Sequence, residues 1–271
     1  PSEKVVARGE SFDLGGAVEY RSFWRPATAS ARFASNKPIL ERLAGTNVNF
    51  SIPGQVEDGA LTVKVGDAKH AVAIRPVQRP AMRELQARVE LPAYLQHPVR
   101  NETVQAAYLP VLRGSTVSFQ GRVSRVLNQA QVTIDEVARP MSVRNNNFSS
   151  PAHEVDGTSH FAFTWRDKHG LTGAAAWQLN VEATDDLAPR PDLGTLGREL
   201  AILETEVLEL NATVRDDFGV KEAGIEWRTL DQTEEPPPQI PAALTTRARG
   251  TQETEFETDF HFSPAVLGIG K

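Results

Sequence analysis

The sequence predicts an all-β chain folded as consecutive β-sandwich modules, the last of them incomplete. Three observations carry that expectation. Apolar and polar residues alternate at period two in run after run, as a strand with one buried face requires. One strand pattern recurs along the chain. Prolines cluster between the alternating runs, where a missing N–H does no damage.

The alternating runs come in order at 61–65 (LTVKV), 70–74 (HAVAI), 130–134 (AQVTI), 160–165 (HFAFTW), 176–181 (AWQLNV) and 256–262 (FETDFHF). Helical spacing is confined to 36–42 and 81–88, and the latter runs into the alternating 89–92, which predicts a strand there. The recurring pattern reads RLAGTNVNF at 42–50, VLRGSTVSF at 111–119 and, more diverged, ILETEVLEL at 202–210. In each copy a leucine precedes a short turn and then an alternating run. The spacing predicts equivalent early strands of three modules, followed by 61–65, 130–134 and 223–227 as their next strands.

Proline-bearing stretches at 75–80 and 188–191 predict the joins. The expected modules are therefore 1–78, 79–188 and 189–271. The run at 234–238 (EEPPP) reads as a solvated polyproline II loop inside the third. The sequence stops soon after the 256–262 run, so the third sandwich is expected to lack its last strands, and the chain to be a piece of a longer protein.

Composition bounds the rest. A chain of 271 residues exceeds one domain of about 150, and small sandwiches raise the expected number to three. With 29 basic against 35 acidic residues and no Lys/Arg block, a nucleic-acid partner is excluded. No stretch reaches the ~20 apolar residues of a membrane span. The absence of cysteine removes disulfides, thiolate metal sites and cysteine nucleophiles together. It also fits exported bacterial β-proteins, for which an unpaired thiol is a liability, and points to the periplasm, cell envelope or extracellular space.

Residues 212–220 (ATVRDDFGV), followed by Ile225-Glu226-Trp227, resemble the immunoglobulin-like or cadherin-like repeats of large bacterial envelope and surface proteins, in which a strand ends in an Asp-rich turn with glycine. The resemblance implies tandem immunoglobulin-like β-sandwiches in an anchored spacer, adhesin or assembly module, and it implies no chemistry. It also implies where calcium would sit. Cadherin-like joins bind the ion through a linker and a loop of the next module, which places Asp185 and Asp186 in the linker and Asp216 and Asp217 in the loop, with Asn180, Glu182 and Glu222 as further oxygens. The competing reading is that paired aspartates before an apolar residue or glycine make solvated turns. The first join, around 75–82, has no acidic cluster, so only the second is expected to be more than a passive hinge.

His153, Glu154, His160, Asp167 and His169 lie close in sequence, but their spacing matches no ligand pattern and predicts loop and strand-edge histidines. No Gly-x-Ser-x-Gly elbow occurs, and no catalytic residue is predicted. Trp165, Trp177 and Trp227 are expected in cores, with Trp24 left open; a row of exposed aromatics would instead mark a glycan-binding surface. The expected function is a non-enzymatic structural or interaction module of an exported or envelope-anchored multidomain protein, with protein partners or self-assembly. A carbohydrate-binding accessory region and a calcium-stiffened adhesin are the alternatives.

Overall fold

The computed structural model of the protein describes residues 2–20, 23, 25–194, 199–224 and 254–264. Trp24, Trp227 and the 234–238 run lie outside the described residues. The described chain is all-β, with one short 3-10 turn as its only helical element.

Seven strands come first: β1 (Glu3–Ala7), β2 (Phe12–Ala17), β3 (Thr28–Phe33), β4 (Ile39–Arg42), β5 (Asn47–Ile52), β6 (Gly59–Val65) and β7 (Ala68–Val77). One sheet has the order β1-β7-β6-β3-β4, with β1 parallel to β7, and β2 and β5 pair as a second sheet. Inward residues of the first sheet, Ala31, Leu61, Val72 and Ile74, meet Leu14, Val48, Phe50 and Ile52 of the second in one core. The helical spacing at 36–42 is overruled: β4 pairs with β3 there, and four residues of edge strand gain a ladder that an isolated helical turn lacks.

Eleven strands follow: β8 (Met82–Glu90), β9 (Arg100–Thr103), β10 (Tyr108–Leu112), β11 (Ser115–Val123), β12 (Leu127–Ile134), β13 (Val137–Pro140), β14 (Ser142–Arg144), β15 (Asn147–Ser149), β16 (His153–Val155), β17 (Ser159–Asp167) and β18 (Trp177–Thr184). Their first sheet, β10-β18-β17-β12-β13, repeats β1-β7-β6-β3-β4 strand for strand, again with its first strand parallel to its last. The facing sheet has the order β14-β15-β11-β8-β9, with β16 also on β11. Alternation is strict: Leu85, Ala87 and Val89 of β8, Val117 and Phe119 of β11, and Phe161, Phe163 and Trp165 of β17 all point into one core. Gly121 of β11 is required by this packing, since a Cβ there would lie 2.1 Å from the Phe148 ring.

The last described strands, β19 (Arg190–Asp192), β20 (Leu208–Arg215) and β21 (Glu255–Phe262), form one antiparallel sheet in that order over Val214, Val220 and Phe256. β19 flanks β20 as β8 flanks β11.

These correspondences correct the predicted repeat. Residues 111–119 lead into β11 and 202–210 into β20, which are equivalent strands, but 42–50 leads into β5. The strand equivalent to β11 in the first sandwich is β2, the one that follows β1 and crosses to the other sheet. Period-two alternation identifies a half-buried strand and cannot say which one. Prolines also enter strands. Pro76 lies in β7 beyond the last residue paired to β6, and Pro191 lies in the edge strand β19, so neither breaks a ladder.

Candidate functional site

The residues that do most beyond filling cores gather at the two stretches between sheets, 78–81 and 185–189. At the first, Arg79 reaches back to Glu10 in a two-pronged bond, Nε to Oε1 at 2.7 Å and the second guanidinium nitrogen to Oε2 at 2.6 Å. Its remaining nitrogen donates to the carbonyl and hydroxyl of Thr172, in the β17–β18 connection, at 3.1 and 3.3 Å. A planar fork suits both partners at once, as a lysine would not. The hydrogen bond from Arg79 holds the Glu10 carboxyl below its ordinary range. One residue further on, buried Trp165 donates its indole N–H to the Pro80 carbonyl at 2.9 Å, and the Ala81 amide donates to the Ser124 hydroxyl at 3.0 Å. The expectation of a passive first hinge is thereby corrected: the stretch lacks acidic residues of its own because its carboxylate, Glu10, comes from 69 residues upstream.

The second join is held by the connection between β8 and β10. Pro92 leads into the 3-10 turn Ala93–Leu95, and Gln96, at φ 55°, closes it in the left-handed region. That bend sets Tyr94 and His97 toward the third sheet. The Tyr94 hydroxyl donates to Asp186 Oδ2 at 2.8 Å, and His97 Nε2 donates to the Phe218 carbonyl at 2.6 Å. The Phe218 ring stands edge-on to His97 at 6.1 Å and packs against the second core. Arg113 donates to Asp185 Oδ1 at 2.6 Å and also to the Asp156 carbonyl. The hydrogen bond to Asp186, burial, and the charges of Asp186, Asp217 and Asp216 together raise the Tyr94 hydroxyl above its usual range.

The four predicted calcium residues thus have these surroundings. Asp185 is paired with Arg113 and Asp186 with Tyr94. Asp216 Oδ2 accepts the Phe218 amide at 3.2 Å, an aspartate closing its own turn. Asp216 and Asp217 line an open depression of about 300 Å3 together with Arg190, Arg215 and Glu255, where Arg215 pairs with Glu255 at 2.6 Å. Asn180 and Glu182 hold His160 and Tyr108 instead, and Glu222 is exposed. Among the described residues, no three His, Asp or Glu side chains are gathered as a metal-ion site.

The histidine-rich segment is dispersed in the same way. His153 bonds the Ser159 hydroxyl, and burial pulls it below the ordinary histidine range. Asp167, 1% exposed, serves the β17–β18 turn: Oδ1 accepts the amides of His169 and Leu171, and Oδ2 the Arg125 Nε at 2.7 Å. Burial alone would raise its carboxyl, but these bonds outweigh it and hold the group below its ordinary range. Trp165 is core, and Trp177 is half-buried against Phe163, 5.9 Å between centroids.

Two five-stranded sheets of identical strand order, each packed on a second sheet through crossing connections, define a chain of tandem immunoglobulin-like sandwiches. No protein-family model and no curated protein matches the sequence. Among solved structures, the fibronectin(III)-like modules of Clostridium thermocellum CbhA align at 7% identity over 68% of this chain and 90% of theirs, with a TM-score of 0.38. The I9-I11 tandem from titin aligns at 9% identity over 98% of this chain and 88% of its own, with a TM-score of 0.32. Bacteroides ovatus SGBP-B, of a mixed-linkage glucan utilization locus and in complex with a heptasaccharide, aligns at 12% identity over 69% of this chain and 44% of its own, with a TM-score of 0.20. These are loose likenesses of fold, and the class rests on the sheets themselves. Among the described residues no helix is long and apolar enough to cross a membrane.

Proposed function

We propose that the chain is a non-enzymatic stiff spacer, of an exported or envelope-attached protein, whose modules divide near 78 and 188 and hold a fixed mutual angle. The observation that carries this reading is that each join is spanned by side-chain hydrogen bonds: Arg79 to Glu10 and Thr172 at the first, and at the second Tyr94 to Asp186 of the joining stretch and His97 to the Phe218 carbonyl beyond it. Tandem modules linked only by backbone sample many angles, and their default is relative motion. Bonds with partners on both sides remove that freedom. A calcium ion is not needed for stiffness here; it would have to displace Arg113 and Tyr94 from Asp185 and Asp186.

The chain lacks cysteine, so spin labels can be placed at will. With labels at exposed Asp67 and Arg139 across the first join, and Arg139 and Glu209 across the second, the native protein should give narrow distance distributions. Arg79→Ala should broaden the first alone, and His97→Ala the second alone. Broad distributions in the unsubstituted protein would end the stiff-spacer reading.

A further inference from the structure

The stretch from β12 to β15 departs from regular pairing at one place. β13 runs beside β12 as far as Gln131↔Pro140, and the Met141 amide still donates to the Ala130 carbonyl at 3.0 Å. The chain then crosses to β14 of the facing sheet and comes back to β12 at Asn145, whose carbonyl accepts the Leu127 amide at 2.8 Å. Between these two bonds the strands part. An open cleft of about 420 Å3 lies there, lined by Asn128, Gln129, Gln131, Pro140, Met141 and Val143 with two alanines. Pockets for small ligands run from about 300 to 1,000 Å3.

A β-bulge builds one wall of it. The register of β12 on β17 shifts between Leu127↔Asp167 and Gln129↔Arg166, which makes Asn128 the extra residue. Alternation breaks accordingly: Leu127 and Ala130 are both buried, and Asn128 and Gln129 between them are both exposed. In regular pairing one of two consecutive residues would face the core. The bulge instead aims both amides outward, a use to which bulges are put beside binding and active sites. Gln131, two residues past Gln129, follows on the same face.

These amides are also unspent. Gln86, Asn146 and Asn180 bond Glu84, the Val123 carbonyl and His160. Among the described residues no hydrogen bond takes up the side chains of Asn128, Gln129 or Gln131. The lining carries no charge. Arg166 lies opposite Gln129, beside the cleft rather than in it, and the charge of Arg139 bears on His153.

The donor set defines the ligand. Each amide offers an acceptor and two donors side by side, which matches neighbouring hydroxyl groups that both donate and accept. The aliphatic floor of Pro140, Met141 and Val143 suits the C–H face of a sugar ring. A phosphate or carboxylate finds no cation in the lining, and burying it there unpaired is costly. We propose that the cleft at the β12 bulge is a binding site for a neutral oligosaccharide, held by Asn128, Gln129 and Gln131 through hydrogen bonds. It does not use the indoles, since Trp165 is core and Trp177 half-buried. This site goes beyond the stiff-spacer reading and does not depend on it: the joins can be rigid with no sugar bound.

The test uses the full chain with cellohexaose, mannohexaose, xylohexaose and maltohexaose as neutral probes and hexagalacturonate as the anionic one, read by calorimetry and by the side-chain amide signals. Saturable binding of at least one neutral sugar, with shifts at Asn128, Gln129 and Gln131, is expected, and hexagalacturonate should bind more weakly than that sugar. Gln129→Ala and Gln131→Ala should each weaken binding about fivefold or more, as the loss of a neutral hydrogen bond does. Thermal melts check that both variants fold, and Asn128→Ala serves in place of one that does not. Absence of saturable binding by every neutral probe, equal binding by the folded variants, or hexagalacturonate binding as tightly as the best neutral sugar overturns the site.

Discussion

The first and second sandwiches are built on the same five-stranded sheet and differ in what lies against it. Among the described residues two strands cover the first and six the second. The consequence shows in the described cores, with ten buried apolar residues against twenty-three. Phe119, Phe148, Phe161, Phe163 and Trp165 interlock in the second, ring on ring, with centroids 5.1 to 6.2 Å apart. Phe50 alone has that degree of burial among the described rings of the first. Topology of one sheet therefore does not fix stability. The second sheet decides how much apolar surface leaves water, and burial drives folding in proportion to that area.

The comparison predicts that the two sandwiches melt separately, the first at lower urea. Phe163→Ala sharpens it most. The ring is fully buried among aromatic neighbours that cannot collapse into the gap, so the substitution should cost about 3–5 kcal/mol and shift only the later transition. Phe50→Ala should cost less, because a two-stranded cover can close over the cavity, and it should shift only the earlier one. A single transition moved equally by both would break the distinction between the two cores.

What was legible in the sequence follows the same division between local and distant information. Alternation at 61–65, 130–134 and 160–165 exposed strands, because facing in or out is decided by each residue's own side chain. The partner of a strand is not local, so 42–50 and 111–119 read alike although one becomes β5 and the other leads into β11. The joins show this most sharply. Asp185 and Asp186 drew attention by clustering, whereas Arg79 is a lone arginine whose partners Glu10 and Thr172 lie 69 and 93 residues away. Tyr94 and His97 carried one local signal, the Leu-Pro that ends β8 and opens a turn.

Acid should separate the sandwiches next. Asp167 belongs to the second and is held below the ordinary carboxylate range when folded, so its contribution is complete above the unfolded value of about 3.9 and is lost as pH falls through the folded one. The later urea transition should therefore move toward the earlier as pH drops below about 4. Asp167→Asn should abolish that part of the pH dependence and cost about 2–4 kcal/mol at neutral pH, below the figure for a wholly buried pair, because Arg125 keeps about a quarter of its side chain in water. An unchanged acid profile in this variant would assign the pH dependence to other carboxylates.

The smallest expected effect tests whether the sandwiches differ in substance or only in their shared boundary. Trp165 serves both, filling the second core against Phe148 and donating to Pro80 at the join. Trp165→Phe keeps a ring in the core and leaves the buried Pro80 carbonyl without its donor, a loss of about 1–3 kcal/mol. If the cores are independent, that loss belongs to the second sandwich, and the earlier transition stays where it is. If the earlier transition moves as well, the first sandwich leans on the join for stability that its two-stranded cover does not supply, and the clasp around Arg79 and Pro80 is part of its fold as well as of its orientation.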